Sequence, residues 1–84
     1  MKQVAGIFMP EGEADMPRYL TASGGVYQIA QLNRSLEYVN NWDLAIDIGA
    51  HVGLWSKLLV MKFKRVIAFE PMAQMRACLE KNVT

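Results

Sequence analysis

The sequence predicts an α/β fold, and three observations carry that prediction. Leu44 to Ile48 is an apolar run interrupted only by Asp47; Val66 to Phe69 is a second apolar run, ending at Glu70; and Gly49 and Gly53 lead from the first into an apolar helical pattern. A strand, a glycine turn, a helix and a second strand make a βαβ unit with parallel strands. Both runs are nearly continuous, as expected of parallel strands covered on both faces. With the helical patterns on either side, the order helix, strand, helix, strand, helix predicts the N-terminal part of a Rossmann-like, doubly wound parallel sheet. The sheet is expected to be truncated, since only two core strands are in hand.

Residues 1–25 read as an N-terminal extension with one short strand over residues 2–9, ended by Pro10 and the turn Glu11-Gly12-Glu13. Asp15-Met16-Pro17 marks a helix start, with Asp15 as cap and Pro17 in the first turn, and Ser23-Gly24-Gly25 breaks the chain again. Residues 26–84 read as the sheet domain. Ile29, Leu32, Leu36 and Val39 recur at three- and four-residue steps on one helical face, and Asn40-Asn41 ends that helix. After the first strand, Val52 to Phe63 predicts a helix of three turns with Val52, Trp55, Leu58 and Leu59 inward. Lys62, Lys64 and Arg65 gather at its end, where positive charge complements the helix dipole. A last helix starts near Met72 and turns Met75, Leu79 and Val83 inward.

Composition narrows the function classes. A chain of 84 residues is one domain at most and buries only about 60–65% of its unfolded surface. A hydrophobic fraction of 52% argues for a globular chain, and a net charge of +1 favours neither nucleic acid nor an acidic membrane. Without an apolar segment long enough to span a bilayer or a signal-peptide layout, the expectation is a soluble, cytoplasmic protein. The lone Cys78 allows no intramolecular disulfide and no zinc spacing, and reads as core filling. The six methionines likewise read as adaptable packing, with no metal site expected.

The chemistry concentrates at the ends of the two strands. A right-handed crossover places both carboxyl ends at one sheet edge, so Asp47 and Glu70 converge there. Their separation matches the roughly 20 residues at which an acid on the second strand meets a ribose diol. A carboxylate accepts two hydroxyl hydrogen bonds at once. Gly49 permits a sharp turn off the strand, and Gly53 a close backbone approach. The unpaired N–H groups of the helix's first turn can receive a ligand carboxylate or phosphate. A dinucleotide fingerprint, however, needs G-x-G-x-x-G, and His51 stands where the middle glycine would admit a pyrophosphate. Asp47 also repels phosphate and suits a ligand bearing an ammonium and a sulfonium, the features of S-adenosylmethionine. Both residues therefore argue against a nicotinamide dehydrogenase. Each has a plainer role too: Asp47 as a helix cap or loop hydrogen bonder, Glu70 as a solvated strand end, His51 as a helix-start hydrogen bonder. Tyr27 and Gln28 are candidates to reach the amino-acid end of a cofactor, while Trp42 and Trp55 read as packing or interface aromatics.

Ala45-Ile-Asp-Ile-Gly-Ala-His-Val-Gly-Leu-Trp-Ser56, Val66-Ile-Ala-Phe-Glu-Pro71 and Leu79-Glu-Lys-Asn-Val83 together resemble the first motifs of FkbM-type S-adenosylmethionine-dependent methyltransferases, including copies carried by phages. The resemblance covers about half of the chain. It implies that Asp47, Gly49 and Gly53 hold the methionine part of the cofactor, that Glu70 holds the ribose hydroxyls, and that Pro71 and Met72 lie near the adenine. It places His51 where relatives often have Asn, a position for a polar contact. It further implies O-methylation of a small molecule or glycan, with the acceptor loops lying beyond these two strands and no catalytic base assignable here. The competing expectation is a non-catalytic remnant or interaction module, pairing through an exposed strand edge with a second copy or with a companion chain that completes the sheet.

Overall fold

A computed structural model describes residues 1–22 and 28–84 of the chain. The predicted break at Ser23-Gly24-Gly25 and the candidate residue Tyr27 lie outside the described residues. Among the described residues the fold is α/β, with four helices and two two-stranded sheets, one antiparallel and one parallel.

The segment expected to be one strand over residues 2–9 is instead a hairpin of β1 (Lys2–Val4) and β2 (Ile7–Met9), with Val4 opposite Ile7. Its two-residue turn has Ala5 at φ 52° and Gly6 at φ 80°. Positive φ at both positions gives a turn of the primed type, whose twist matches that of the strands it joins. Helix α1 (Asp15–Ala22) starts at the predicted place, but its cap is a different residue: Met16 N–H donates to Glu13 Oε1 at 3.0 Å. Asp15 is already the first helical residue and leaves that role to the acid two places earlier. Helix α2 (Ile29–Leu36) buries Leu32 and stops short of Val39, because the N–H groups of Glu37, Tyr38 and Val39 bond back three residues in a tightening turn.

Strands β3 (Leu44–Ile48) and β4 (Arg65–Phe69) pair in parallel from Leu44 opposite Arg65 to Ile48 opposite Phe69. The crossover helix α3 (Leu54–Leu59) is shorter than the three turns expected. Gly53 at φ 93° delays its start, and Met61 and Lys62 bond back three residues to close it. Lys64 does not serve the helix end; it pairs with Asp43 at 3.2 Å in an exposed bridge, which contributes at most about 1 kcal/mol. Trp42 packs on Phe63, ring centroids 4.9 Å apart. Helix α4 (Ala73–Val83) buries Met75 and Leu79 as expected, together with Cys78 and Asn82.

One core joins the two ends of the chain. Ile7 and Met9 of the hairpin, Leu20 of α1, Val52 of the glycine turn and Met75 and Cys78 of α4 pack together. The strands depart from the expectation of burial on both faces. α3 packs against one face, where Ala45, Asp47, Val66 and Ala68 are half-buried. The opposite face leaves Leu44, Ile46, Ile48, Ile67 and Phe69 exposed, Ile48 to 81%. These side chains keep contact with water, although their composition is that of a buried strand. Among the described residues no helix is long and apolar enough to cross a membrane.

Candidate functional site

The site begins where β3 ends. Asp47 lies opposite Ala68 and Ile48 opposite Phe69, so Asp47 and Glu70 reach the same carboxyl edge of the parallel pair. The Phe69 carbonyl accepts the N–H groups of both Gly49, at 2.9 Å, and Ala50, at 3.0 Å, which bends the chain off β3. That bend needs Gly49 at φ 73°, and His51 follows at φ 57°. A non-glycine residue in this region carries about 1–2 kcal/mol of strain and persists only where its neighbours hold it. Glu70 is the neighbour that does so. Its Oε1 accepts the His51 N–H at 2.8 Å and its Oε2 the Met72 N–H at 3.0 Å. Arg76 Nη1 donates to the Glu70 backbone carbonyl at 2.9 Å. The Met72 N–H, above all, holds the Glu70 carboxyl below its ordinary range; burial opposes this, while the His51 N–H and the nearby His51 and Arg76 side chains add to it.

Beside this turn is a cavity of about 230 Å³ whose wall includes Asp47, Gly49, His51 and Trp55, with Met16 and Gln28 closing it from the N-terminal half. Gln28 reaches it from a left-handed residue, φ 56°, at the start of α2. Asp47 Oδ2 accepts the hydroxyl of the buried Ser56 at 2.7 Å, which orients the carboxylate and leaves Oδ1 without a bond from Ser56. A Cβ at Gly49 would meet nothing within 4 Å. His51 Nδ1 is buried with no hydrogen-bond partner among the described residues.

The cavity's polarity follows from what is already bonded. The N–H groups of Gly49 and Ala50 go to Phe69, that of His51 to Glu70 and that of Gly53 to the Ala50 carbonyl at 2.9 Å. Among the described residues no lysine or arginine lines the wall. Those four loop amides are therefore already bonded, while Asp47 and Gln28 offer acceptors to a cation or a hydroxyl.

The predicted site residues separate into three groups. Asp47, Gly49 and His51 line the cavity, and Glu70 adjoins it through the His51 amide. Gly53 lies behind the turn: a Cβ there would sit 2.5 Å from Leu79 Cδ1 and 3.4 Å from Leu79 Cα, so its missing side chain makes room for α4. Pro71 and Met72 are exposed and lie outside the cavity wall.

Three contributors were not singled out for the site from sequence. Ser56 ends the first quoted motif but is given no role there, Met16 carries no motif, and only the fold brings them to Asp47 and the cavity. Asn82 belongs to the quoted Leu79-to-Val83 motif, yet its task becomes visible only in three dimensions. Its Oδ1 accepts the Phe8 N–H at 2.7 Å, while Nδ2 donates to the carbonyls of Phe8, at 3.0 Å, and Val52, at 2.6 Å. No protein-family model, no curated protein and no solved structure matches the chain.

Proposed function

We propose that the chain is the cofactor-binding part of an S-adenosylmethionine-dependent methyltransferase of the FkbM type, a cytoplasmic enzyme acting on the oxygen of a small molecule or glycan. The observation that carries this reading is the placement of Asp47 and Glu70 at one carboxyl edge, on either side of a glycine turn that borders an acceptor-lined cavity. Parallel pairing of β3 and β4 around a crossover helix is what the opening unit of a Rossmann-like sheet requires.

The residues fit the cofactor's chemistry. Asp47 offers an anion to an ammonium or sulfonium, and Gly49 leaves open space beside it. Each Glu70 oxygen already accepts one N–H, and each keeps a lone pair for a ribose hydroxyl. Pro71 and Met72 border the adenine in this reading. The cavity of about 230 Å³ is below the roughly 300–1,000 Å³ of pockets that enclose a whole small molecule. It therefore receives the methionine end, with the nucleoside lying outside it. S-Adenosylmethionine would supply an electrophilic methyl group, and the chain's own residues would hold and orient that donor.

Calorimetric titration of S-adenosylhomocysteine into the chain, alongside size-exclusion chromatography, tests the proposal. Saturable binding is expected. A folded, discrete sample that binds none would overturn it.

A second reading has its own support. The β3–β4 sheet has two strands and a water-exposed apolar face, so it suits an interaction module that a second copy or a companion chain completes. In that case sedimentation shows association that rises with concentration and is weakened by Ile46→Lys, while S-adenosylhomocysteine has no effect.

A further inference from the structure

We infer that Asn82 is a positioning residue for the cavity, and that through it the N-terminal hairpin is a working part of the site. The ligand arm of this inference rests on the S-adenosylmethionine reading above; the geometric arm does not.

The inference starts from hairpin alternation. Val4 and Ile7 flank the two-residue turn and form the hydrogen-bonded pair, so the next pair, Gln3 and Phe8, is non-hydrogen-bonded. The N–H and C=O of Phe8 therefore point away from β1, towards a free edge. Asn82 closes that edge as another strand would, with Oδ1 on the N–H and Nδ2 on the carbonyl. The second proton of the same Nδ2 goes to the Val52 carbonyl at 2.6 Å. Asn82 is buried, so losing one partner would leave a polar group stranded among apolar neighbours.

The Val52 carbonyl matters because of what stands on either side of it. His51 and Gly53 are both left-handed, at φ 57° and φ 93°, and the Val52 side chain is fully buried in the shared core. Glu70 grips the peptide group before His51 through the His51 N–H, and Asn82 grips the peptide group between Val52 and Gly53 through the Val52 carbonyl. The turn is thus held at both ends, from the end of β4 and from the end of α4. Strain of this kind survives only where surrounding contacts over-determine the backbone. Phe8 is not in the cavity wall, yet it shares one carboxamide with the turn that is.

Amide hydrogen exchange on the full chain tests this by comparing the His51 N–H with the amides of the β3–β4 ladder. His51 is the only histidine, so its signals are identified without ambiguity. Asn82→Asp keeps the shape and removes both donated bonds. It is expected to speed exchange at His51 about tenfold relative to the ladder and to weaken S-adenosylhomocysteine binding by a similar factor. Phe8→Pro removes the Phe8 N–H, on the edge facing away from β1, together with a ring that packs against the core and under Lys81 Nζ at 4.7 Å. It serves if Asn82→Asp does not fold, with a smaller selective rise, about threefold, at His51. A folded variant in which His51 and the ladder change together, or neither changes, overturns the inference. Wild-type chain that binds no S-adenosylhomocysteine while the selective effect at His51 persists leaves the geometric arm standing and removes the cofactor reading instead.

Discussion

The carboxylate of Glu70 accepts the backbone N–H of His51 at 2.8 Å, across a gap of 19 residues in sequence. The side chain proposed for ribose recognition is thus also the brace of the strained turn. Replacing it removes two backbone hydrogen bonds and, in the proposed reading, a ribose contact as well. Glu70→Ala is expected to weaken S-adenosylhomocysteine binding by about 1.5–3 kcal/mol and also to lower unfolding stability by about 1 kcal/mol. Calorimetry and urea denaturation of the same preparation read the two effects separately, and unchanged affinity would remove Glu70 from the site.

Acid should release this brace. The Glu70 carboxyl lies below its ordinary 4.5 in the folded chain, chiefly through the Met72 N–H. A depressed folded value means that the group's contribution to stability is fully present above the unfolded value, near 4.5, and is lost as pH falls through the lower folded one. The stability difference between wild type and Glu70→Gln is therefore constant from pH 7 to about 5 and narrows below that. Urea denaturation at a series of pH values checks it; a difference that widens on acidification would reverse the assignment.

The two glycines of the turn should respond differently. Gly49 and Gly53 both have positive φ, but only Gly53 has Leu79 against the position of its missing side chain. Gly49→Ala adds backbone strain alone, about 1 kcal/mol. Gly53→Ala adds strain and overlap, about 2–4 kcal/mol. Thermal unfolding should rank them in that order, with Gly49→Ala the one that disturbs ligand binding more for its loss in stability.

The hairpin turn offers a stabilising change. Ala5, at φ 52°, occupies the first position of a primed turn before Gly6, where alanine is strained and asparagine is preferred. Ala5→Asn should raise stability by about 0.5–1 kcal/mol, measured as a higher urea midpoint with an unchanged slope.

How far the sequence could be read depends on where the information lies. The β3 and β4 runs were legible because five-residue apolar segments bounded by turn residues have few alternatives, and both acids fell at the strand ends as their spacing implied. The hairpin was not, because each strand has three residues and the turn hides an alanine in a conformation usually marked by Asn or Gly. Continuous hydrophobicity in β3 and β4 predicted cover on both sides, but a strand's composition states what it suits, not what packs on it. Gly53 was readable as a glycine with a purpose, but its partner Leu79 belongs to another helix. Contacts such as Asn82 with Phe8, 74 residues apart, leave no periodic trace at all.

That last contact has a consequence for the order in which the chain is made. A hairpin as short as β1 and β2 closes within about 1–10 μs of emerging. Asn82, which seals its outer edge, is translated far later, roughly 4–15 s after residue 9 at about 5–20 residues per second. Through that interval the outward N–H and C=O of Phe8 are an unsealed strand edge on the nascent chain, and the glycine turn has no clasp on Val52. Vectorial synthesis therefore builds the hairpin first and the site last. Ribosome-stalled chains ending before residue 82 should show the Phe8 amide exchanging freely, and chains carried on by a linker that brings Asn82 out of the ribosome should show it protected.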